Sequence, residues 1–315
     1  MSIPRAEHDR PETYPAYRAA PSVQLDNGET ALVGVKNTGV DVYFADGQRF
    51  HYDLEGRLLR LATPNVQWRR GISGRVLKLS KRTLADGGGL QRTRLTQDEV
   101  DFLLDDCSQR MHRVAQRFGE GRFTIPDFDH HDLSSDQVQD LLTLASRFTA
   151  ERASLDVERF QNLYVDIPIM PPDQYSSLAL MATDGCRYNK CTFCGFYRGS
   201  QFRNRTPEQF RQHVAAATAF HGKGLALRRA IFVGQANALM GPRDWRENIF
   251  RILNDSFDFP AADVGTCSPS WWKGSNTRFE GITSFLDAYV GERISEEEFS
   301  ELRRRNLRRV FIGME

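Results

Sequence analysis

The residues best suited to chemistry are three cysteines near the middle of the chain. Cys186, Cys191 and Cys194 are spaced C-x4-C-x2-C and follow an apolar segment that predicts a strand. Thiolates are soft ligands that suit zinc and iron–sulfur clusters. The first residues, MSIPRAEHDRPETYP, lack the apolar core of a secretory signal, so we expect a cytoplasmic protein, in which disulfides are rare. The spacing therefore predicts a metal or catalytic site.

The number of cysteines bears on which metal would be bound. Three cysteines hold three irons of a 4Fe-4S cluster and leave the fourth iron open to a substrate or cofactor. A structural zinc ion prefers four ligands, and Cys267 could complete such a set. A non-catalytic zinc or iron–sulfur binding module is therefore the alternative to an enzyme. Cys107 lies on an apolar helical stripe and is predicted to be a core residue.

The sequence around the three cysteines, GCRYNKCTFCGFYR, resembles the radical S-adenosylmethionine (SAM) superfamily, in the subset with four residues between the first two cysteines. The resemblance implies that Cys186, Cys191 and Cys194 ligate a 4Fe-4S cluster whose open iron is chelated by SAM. It implies that the reduced cluster cleaves SAM to a 5′-deoxyadenosyl radical, which abstracts hydrogen from a substrate. A cellular electron donor of flavodoxin or ferredoxin type would reduce the cluster. The identity of the substrate cannot be read from the sequence, because function depends on the site rather than on the fold.

The resemblance also implies a set of residues that bind SAM. Most of them follow predicted strands, and the set is Phe193, Gly195, Gly234, Gln235, Asn237, Ser268 and Glu315. Phe193 would lie near the adenine, and the backbone around Gly195 would face the cofactor. The segment from Gly234 to Asn237 stands where the superfamily has a Gly-Gly-Glu-like motif for the methionyl amino group, but it contains no glutamate. A side-chain oxygen of Gln235 or Asn237 would supply that contact instead.

Strands and helices alternate from about residue 175 onward. Apolar strand segments are predicted at 177–182, 230–233, 263–267 and 310–313. Between them, Thr206 with Gln209 and Ser295 with Glu298 form the capping-box pattern that starts a helix. This alternation predicts a parallel sheet with right-handed crossovers, in which binding sites lie at the carboxyl ends of the strands. The cysteines follow the first of these strands.

The first half of the chain has a different pattern. Short apolar segments separated by turns such as Asp46-Gly47 predict a small β-meander, and helical spacing follows from about residue 96. We therefore predict a disordered arm over 1–20, a β-rich accessory module over 21–90, a helical bridge over 91–174 and an incomplete radical SAM core over 175–315.

The predicted fold class is α/β. The core would be a partial (β/α) radical SAM barrel that is truncated after its fourth strand. The superfamily barrel usually has six βα units, so four predicted strands leave an open sheet edge, which is a liability for a soluble protein. We expect the remainder of a longer chain, or a partner, to cover that edge.

Charge and hydropathy exclude some classes of function. The chain has 42 Lys and Arg against 41 Asp and Glu, a formal net charge of +1, which weighs against nucleic-acid binding over the whole surface. An RNA-modifying radical SAM enzyme is therefore a secondary alternative. The chain contains no apolar segment of the roughly 18 residues needed to span a bilayer, so no membrane partner is predicted. The acidic and histidine-rich segment 127–132 has metal-binding residue types, and we interpret it as a solvated turn before a helix that starts near Ser134.

Overall fold

The computed structural model describes residues 18–81, 88–125, 133–164, 170–192, 194–259, 279–288 and 293–313. Several positions singled out by the sequence lie outside these ranges: most of the arm 1–20, the segment 127–132, the strand segment 263–267, Phe193, Cys267, Ser268 and Glu315. Within the ranges, no helix combines the length and the apolar character that crossing a membrane requires.

A nine-stranded antiparallel sheet forms the first part of the molecule. Its strands are β1 Ser22–Gln24, β2 Thr30–Lys36, β3 Gly39–Phe44, β4 Arg49–Asp53, β5 Leu58–Ala62, β6 Val66–Arg70, β7 Val76–Lys81, β8 Leu90–Arg94 and β9 Phe123–Thr124. Strands β1 to β8 are neighbours in space as in sequence, and β9 pairs with β1. Strands β8 and β9 therefore extend the sheet into the segment 91–174, where the sequence predicts a helical bridge.

Buried β-branched pairs and a tight turn fix the register of this sheet. Val33 of β2 is aligned with Val42 of β3, and both side chains are at most 1% exposed. The turn from β3 to β4 contains Asp46 and Gly47, as predicted, and Gly47 has a φ of 82° that only glycine adopts without strain. A shift of the register between two strands by one residue would move the apolar side chains of one strand from the core face of the sheet to the other face. The alternation of apolar and polar residues therefore specifies the register.

Three helices share a hydrophobic core with this sheet: α1 Gln97–Gly119, α2 Ser135–Ser146 and α3 Ala150–Leu163. Helix α1 begins at a capping box, in which the Thr96 hydroxyl accepts from the Glu99 amide and the Glu99 carboxylate accepts from the Thr96 amide. The prediction that Cys107 belongs to the core is confirmed, because it is 1% exposed, and its burial raises the pKa of the thiol to about 12. The sheet and the bridging helices are therefore one packed unit.

Four parallel strands form a second sheet. A short hairpin, formed by β11 Thr183–Asp184 and β12 Arg203–Asn204, follows the first strand of this sheet in the chain. The four strands of the sheet itself are β10 Leu178–Met181, β13 Ile231–Gly234, β14 Ile282–Asp287 and β15 Leu307–Gly313. The order across the sheet is β10-β13-β14-β15, and these described strands form an open sheet rather than a closed barrel.

The third strand of this sheet differs from the expected one. The predicted strand 263–267 lies outside the described residues, and the strand that pairs with β13 is β14, in which Ile282 is aligned with Ile231. Most side chains of β14 are buried, as expected for a strand covered on both faces. This pairing places the end of β14 beside the end of β13.

Three further helices, α4 Pro207–His221, α5 Arg243–Ser256 and α6 Glu296–Arg304, accompany the parallel sheet, together with short 3-10 segments at Pro172–Gln174, Gly222–Leu227 and Ala238–Met240. The capping boxes predicted at Thr206 with Gln209 and at Ser295 with Glu298 are confirmed at the starts of α4 and α6. The apolar faces of α4 and α5 contribute to the core around β10 and β13.

A buried arginine joins the two parts of the molecule. Arg57, after the β4–β5 turn, donates from Nε to Asp156 of α3 at 2.6 Å and from Nη2 to the carbonyl of Phe220 in α4 at 2.6 Å. Its Nη1 lies 3.4 Å from a carboxylate oxygen of Asp53. Arg57, Asp53 and Asp156 are each at most 2% exposed. One guanidinium therefore connects the antiparallel sheet, the bridging helices and the helices of the parallel sheet.

Candidate functional site

The cysteines lie on a loop that is closed at its base by the β11–β12 hairpin. Thr183 is aligned with Asn204 and Asp184 with Arg203 in an antiparallel ladder. Asp184 also accepts from Arg203 Nε at 2.5 Å and from Arg205 Nη2 at 2.9 Å. Partial burial opposes ionisation of Asp184, but the hydrogen bonds from these two arginines prevail and lower its pKa. The pairing of β11 with β12 therefore holds together the two ends of the loop 185–202, which carries all three cysteines.

Hydrogen bonds within the loop hold its two halves together. Asn189, between the first two cysteines, donates from Nδ2 to the carbonyl of Tyr197 at 2.8 Å. Asn189 has a φ of 44°, a left-handed conformation that asparagine tolerates better than most residues. Arg198 donates to the carbonyl of Thr192 at 3.3 Å. The segment before Cys191 is thereby tied to the segment after Cys194.

Gln235 fixes the start of the loop from the neighbouring strand. Its side-chain oxygen accepts a hydrogen bond from the Gly185 amide at 2.6 Å, and its own amide donates to the carbonyl of Thr183 at 3.1 Å. Gln235 is 4% exposed. Gly185 has a φ of 71°, and a Cβ there would lie 3.0 Å from the carbonyl oxygen of Gln201, so the position requires glycine. Gln235 therefore fixes the position of the backbone at the start of the loop.

His213 of α4 supports the strand that leads into the loop. Its Nε2 accepts a hydrogen bond from the amide of Met181, the last residue of β10, at 3.0 Å. Burial and, to a smaller extent, the positive charge of the nearby Arg205 lower the pKa of His213 to about 4. The imidazole is therefore neutral at physiological pH, as its acceptor role requires.

The three cysteines line one cavity of about 890 Å³. Cys186, Cys191 and Cys194 are all half-buried, and none of them forms a disulfide. The same cavity is lined by Tyr197, which is 8% exposed. Burial raises the pKa of Tyr197 to about 12, and the proximity of Cys186 and Cys194 contributes to the increase. The three cysteines that the sequence singles out therefore line the same cavity.

The facing wall of the cavity comes from the carboxyl ends of the parallel strands. Asn237 follows β13, Phe285 and Asp287 end β14, and Ile312 lies near the end of β15. Asn237 donates from Nδ2 to a carboxylate oxygen of Asp287 at 3.1 Å and has a left-handed φ of 49°. The site therefore occupies the edge of the sheet at which ligands bind in α/β proteins.

Asp287 and Phe285 are site residues that the sequence prediction missed. The available signal was weak: the segment Ile-Thr-Ser-Phe-Leu at 282–286 mixes apolar and polar residues and is followed directly by an acidic residue. The segments after β10 and β13 were predicted to bind a ligand because polar residues follow a strand there, and the same holds after β14.

The remaining predicted cofactor residues are placed as follows. Gly234 is the last residue of β13 and is aligned with Met181 of β10. Gly195 is exposed on the loop, next to Cys194, and is not part of the described cavity lining. Gln235 likewise lies beneath the loop rather than in that lining. Phe193, Ser268 and Glu315 lie outside the described residues.

The residue types of the site suit an iron–sulfur cluster, because soft metals prefer thiolate ligands and three cysteines line the cavity. Their positions do not yet form a ligand set. The described histidines, cysteines, aspartates and glutamates do not include three or more arranged as ligands of one ion. Comparisons with protein-family models, with curated proteins and with solved structures each gave no match. The function is therefore inferred from the side chains of the site and from the motif that they form.

Proposed function

We propose that the chain is a radical SAM enzyme. The observation that carries the proposal is that Cys186, Cys191 and Cys194 line a single cavity together with the carboxyl ends of three parallel strands. A zinc or iron–sulfur module with a purely structural role would not need such a cavity, whereas an enzyme needs space beside the metal for a cofactor and a substrate. The C-x4-C-x2-C motif supports the same assignment by resemblance.

The three cysteines would hold a 4Fe-4S cluster through their thiolates. When bound, the cluster and SAM supply a 5′-deoxyadenosyl radical that abstracts hydrogen from the substrate. The chain itself would orient the reactants and exclude water, for which the cavity offers the aromatic side chains of Tyr197 and Phe285. The hydrogen bonds of Asn189 and Gln235 would hold the backbone of the loop while the three thiols move onto the cluster.

The polar pair Asn237 and Asp287 is the group best placed to bind SAM or the substrate. The pair lies in the cavity wall opposite the cysteine loop, and an aspartate there can bind an ammonium or hydroxyl group. Because Gln235 already accepts from Gly185, we assign Gln235 to positioning the loop and Asn237 to contacting the ligand. By resemblance, Phe193, Gly195, Gly234, Ser268 and Glu315 would complete the cofactor pocket.

The electron donor would approach the cysteine loop from outside. Arg187, Lys190 and Arg198 are exposed on this loop and would attract an acidic protein. A flavodoxin or ferredoxin type donor in the cytoplasm is proposed on this basis, together with the resemblance.

Anaerobic reconstitution with iron and sulfide tests the proposal. We expect about four irons per chain and reductive cleavage of SAM to 5′-deoxyadenosine. The Cys191→Ala variant should lose both, while Cys107→Ala, which removes a cysteine outside the cavity, should retain both. Full iron loading and wild-type SAM cleavage in Cys191→Ala would show that the ligand assignment is wrong.

Two further measurements separate the alternatives. Metal analysis of the purified protein that finds one zinc per chain, without iron or sulfide, would support the non-catalytic module and contradict the enzyme. Addition of cellular RNA to the SAM-cleavage assay tests the RNA-modifying alternative, because a bound substrate should stimulate cleavage. With a formal net charge of +1, we expect no stimulation by RNA.

A further inference from the structure

The outward face of strands β5 to β8 is basic. Arg60 of β5 is aligned with Arg69 of β6, and Leu77 of β7 is aligned with both Arg69 and Arg94 of β8. Aligned residues of neighbouring strands project from the same face, and Arg92 joins them because it lies two residues before Arg94. The four strands contain no aspartate or glutamate. We call the four exposed arginines of this surface, Arg60, Arg69, Arg92 and Arg94, the basic face.

The charge of the basic face is not neutralised within the part of the chain that the structure describes. Arg69 donates from Nε to the neutral side chain of Gln67 at 2.8 Å, and no described carboxylate pairs with any of the four arginines. Arg60 and Arg69 lie directly opposite each other, which destabilises a sheet. Charges on an edge strand prevent aggregation, but β5 and β6 are interior strands. The basic face is therefore suited to a partner of opposite charge.

Strand β8 also has a free edge. It is the last strand of the sheet order, and all five of its residues are exposed. The amide of Leu95 donates to the carbonyl of Val76, on the β7 side, at 3.1 Å. Because hydrogen bonds alternate along an antiparallel pair, Arg92 and Arg94 direct their backbone N–H and C=O groups away from β7. No described strand pairs with these groups, so they can accept an added strand.

The side chains around the basic face favour a protein over a nucleic acid. Leu77 and Leu90 are 44% and 53% exposed on the same face, and arginine mixed with apolar side chains is typical of protein interfaces. Single-stranded RNA is held by stacking of its bases on aromatic rings. Trp68, the aromatic residue of β5 to β8, instead packs against the core on the other face. A protein segment therefore fits this surface better than RNA does.

The charge of β8 determines the charge of the segment that it can pair with. Two copies of β8 paired about Arg92 would place arginine opposite arginine, which is unfavourable. Carboxylates opposite Arg92 and Arg94 would instead form cross-strand pairs of opposite charge. An acidic segment of another protein is thus favoured over a second copy of this chain.

We propose that β8 binds an extended acidic segment of a partner protein as an additional antiparallel strand. Acidic residues of the segment lie opposite Arg94 and Arg92, and an apolar residue lies opposite Leu90, so the recognised pattern is acidic-x-acidic-x-apolar. Arg60 and Arg69 attract the segment at longer range. The inference does not depend on the proposed radical chemistry, because no residue of the basic face lines the cavity of the cysteines.

Binding of a labelled peptide, Thr-Glu-Thr-Glu-Thr-Leu-Thr, to the full chain tests the proposal by fluorescence anisotropy. It should bind about fivefold more tightly than the analogue with glutamine in place of glutamate, the effect of two cross-strand charge pairs. Added salt should reduce this difference, because it screens exposed charges. Equal binding of the two peptides, or no binding of either, would overturn the proposal.

Two methylated peptides test whether the backbone takes part. N-methylation of the second glutamate removes the N–H that would face Arg92, so it should abolish binding. N-methylation of the threonine that follows alters an N–H that points away from β8, and this peptide should bind as the parent does. Equal effects of the two modifications would contradict strand addition.

Variants of β8 locate the site. Arg92→Glu combined with Arg94→Glu should reverse the preference, from the glutamate peptide to its lysine analogue, whereas Arg113→Glu, at an exposed position of α1, should leave binding unchanged. If the double variant does not fold, the methylated pair decides the question. Oligouridylate or phosphatidylserine vesicles that bind through Arg92 and Arg94, without binding of the acidic peptide, would assign the surface to a nucleic acid or a membrane and overturn the proposal.

Discussion

The side-chain oxygen of Gln235 lies 2.6 Å from the backbone nitrogen of Gly185. This hydrogen bond connects the residue after β13 to the residue before Cys186, across two neighbouring strands of the parallel sheet. It is therefore a direct link between the sheet and the metal-binding loop that we propose.

Replacing Gln235 with leucine should loosen the loop. The Gly185 amide would lose its acceptor in a buried environment, which costs about 1–3 kcal/mol of the free energy of unfolding. Urea unfolding measures that loss, and iron titration should show weaker loading of the variant. Gln201→Leu is the matched control, because Gln201 is exposed at the far end of the loop. Equal iron loading of Gln235→Leu and wild type would contradict the positioning role.

Asp287→Asn should weaken SAM binding while leaving the iron content unchanged. The substitution keeps the shape of the side chain but removes the charge that faces the cavity. Loss of one charge-assisted hydrogen bond corresponds to about a tenfold or larger rise in the dissociation constant of SAM. Equilibrium binding to the reconstituted protein provides the measurement. Asp255→Asn, on the exposed surface of α5, should bind SAM as wild type does.

The stability of the chain should fall in mild acid because of buried histidines. The pKa of His213 is lowered to about 4 and that of His221 to about 3, whereas both would titrate near 6.5 when unfolded. The unfolded state therefore binds protons first as the pH falls below about 6.5. The stabilisation from these neutral rings is complete above that pH and is lost progressively toward pH 4 and below.

Urea unfolding between pH 7 and pH 4 checks this dependence. His213→Gln should show a smaller decrease with falling pH than wild type, by up to about 1.4 kcal/mol for each pH unit. His112→Gln, at an exposed position of α1, should follow the wild-type curve. A wild-type curve that is flat from pH 7 to pH 4.5 would rule out the proposed effect.

Arg57→Met should destabilise the whole chain. The variant would leave Asp53 and Asp156 buried without their shared cation, and removing one partner of a buried ion pair costs about 3–5 kcal/mol. Denaturant unfolding followed by both circular dichroism and tryptophan fluorescence would measure the loss. A decrease below about 1 kcal/mol, the range of exposed pairs, would mean that this group contributes little.

The sequence predicts those parts of the fold that depend on local chemistry. Capping boxes at Thr96, Thr206 and Ser295 start helices where expected, because the hydrogen bonds that define them join residues three apart. The apolar segments of β10 and β13 were found for a similar reason, since strand periodicity is a local signal. The shared cavity of the three cysteines is consistent with their close spacing.

The parts that escaped prediction depend on contacts between distant segments. The sequence pattern predicts a strand at 263–267, which lies outside the described residues, and does not predict β14, whose segment Ile282–Asp287 mixes polar and apolar residues. The parallel pairing of β14 with β13 becomes evident only in the folded chain. The acceptor role of Gln235 likewise depends on Gly185, which lies fifty positions earlier in the chain. Strand β9 was missed because its partner β1 lies about a hundred residues away, and a two-residue strand has no periodicity of its own.

The β11–β12 ladder would also affect how the proposed metal site assembles. Because the ladder joins the two ends of the loop when the chain folds, the entropy of closing residues 185–202 is lost before any metal arrives. If the proposal is correct, the three thiols would meet an incoming ion on one tethered segment, at a high effective concentration. Once one cysteine has bound, the next ligation is an intramolecular step, so a partly assembled site should recapture a dissociating ion rather than release it.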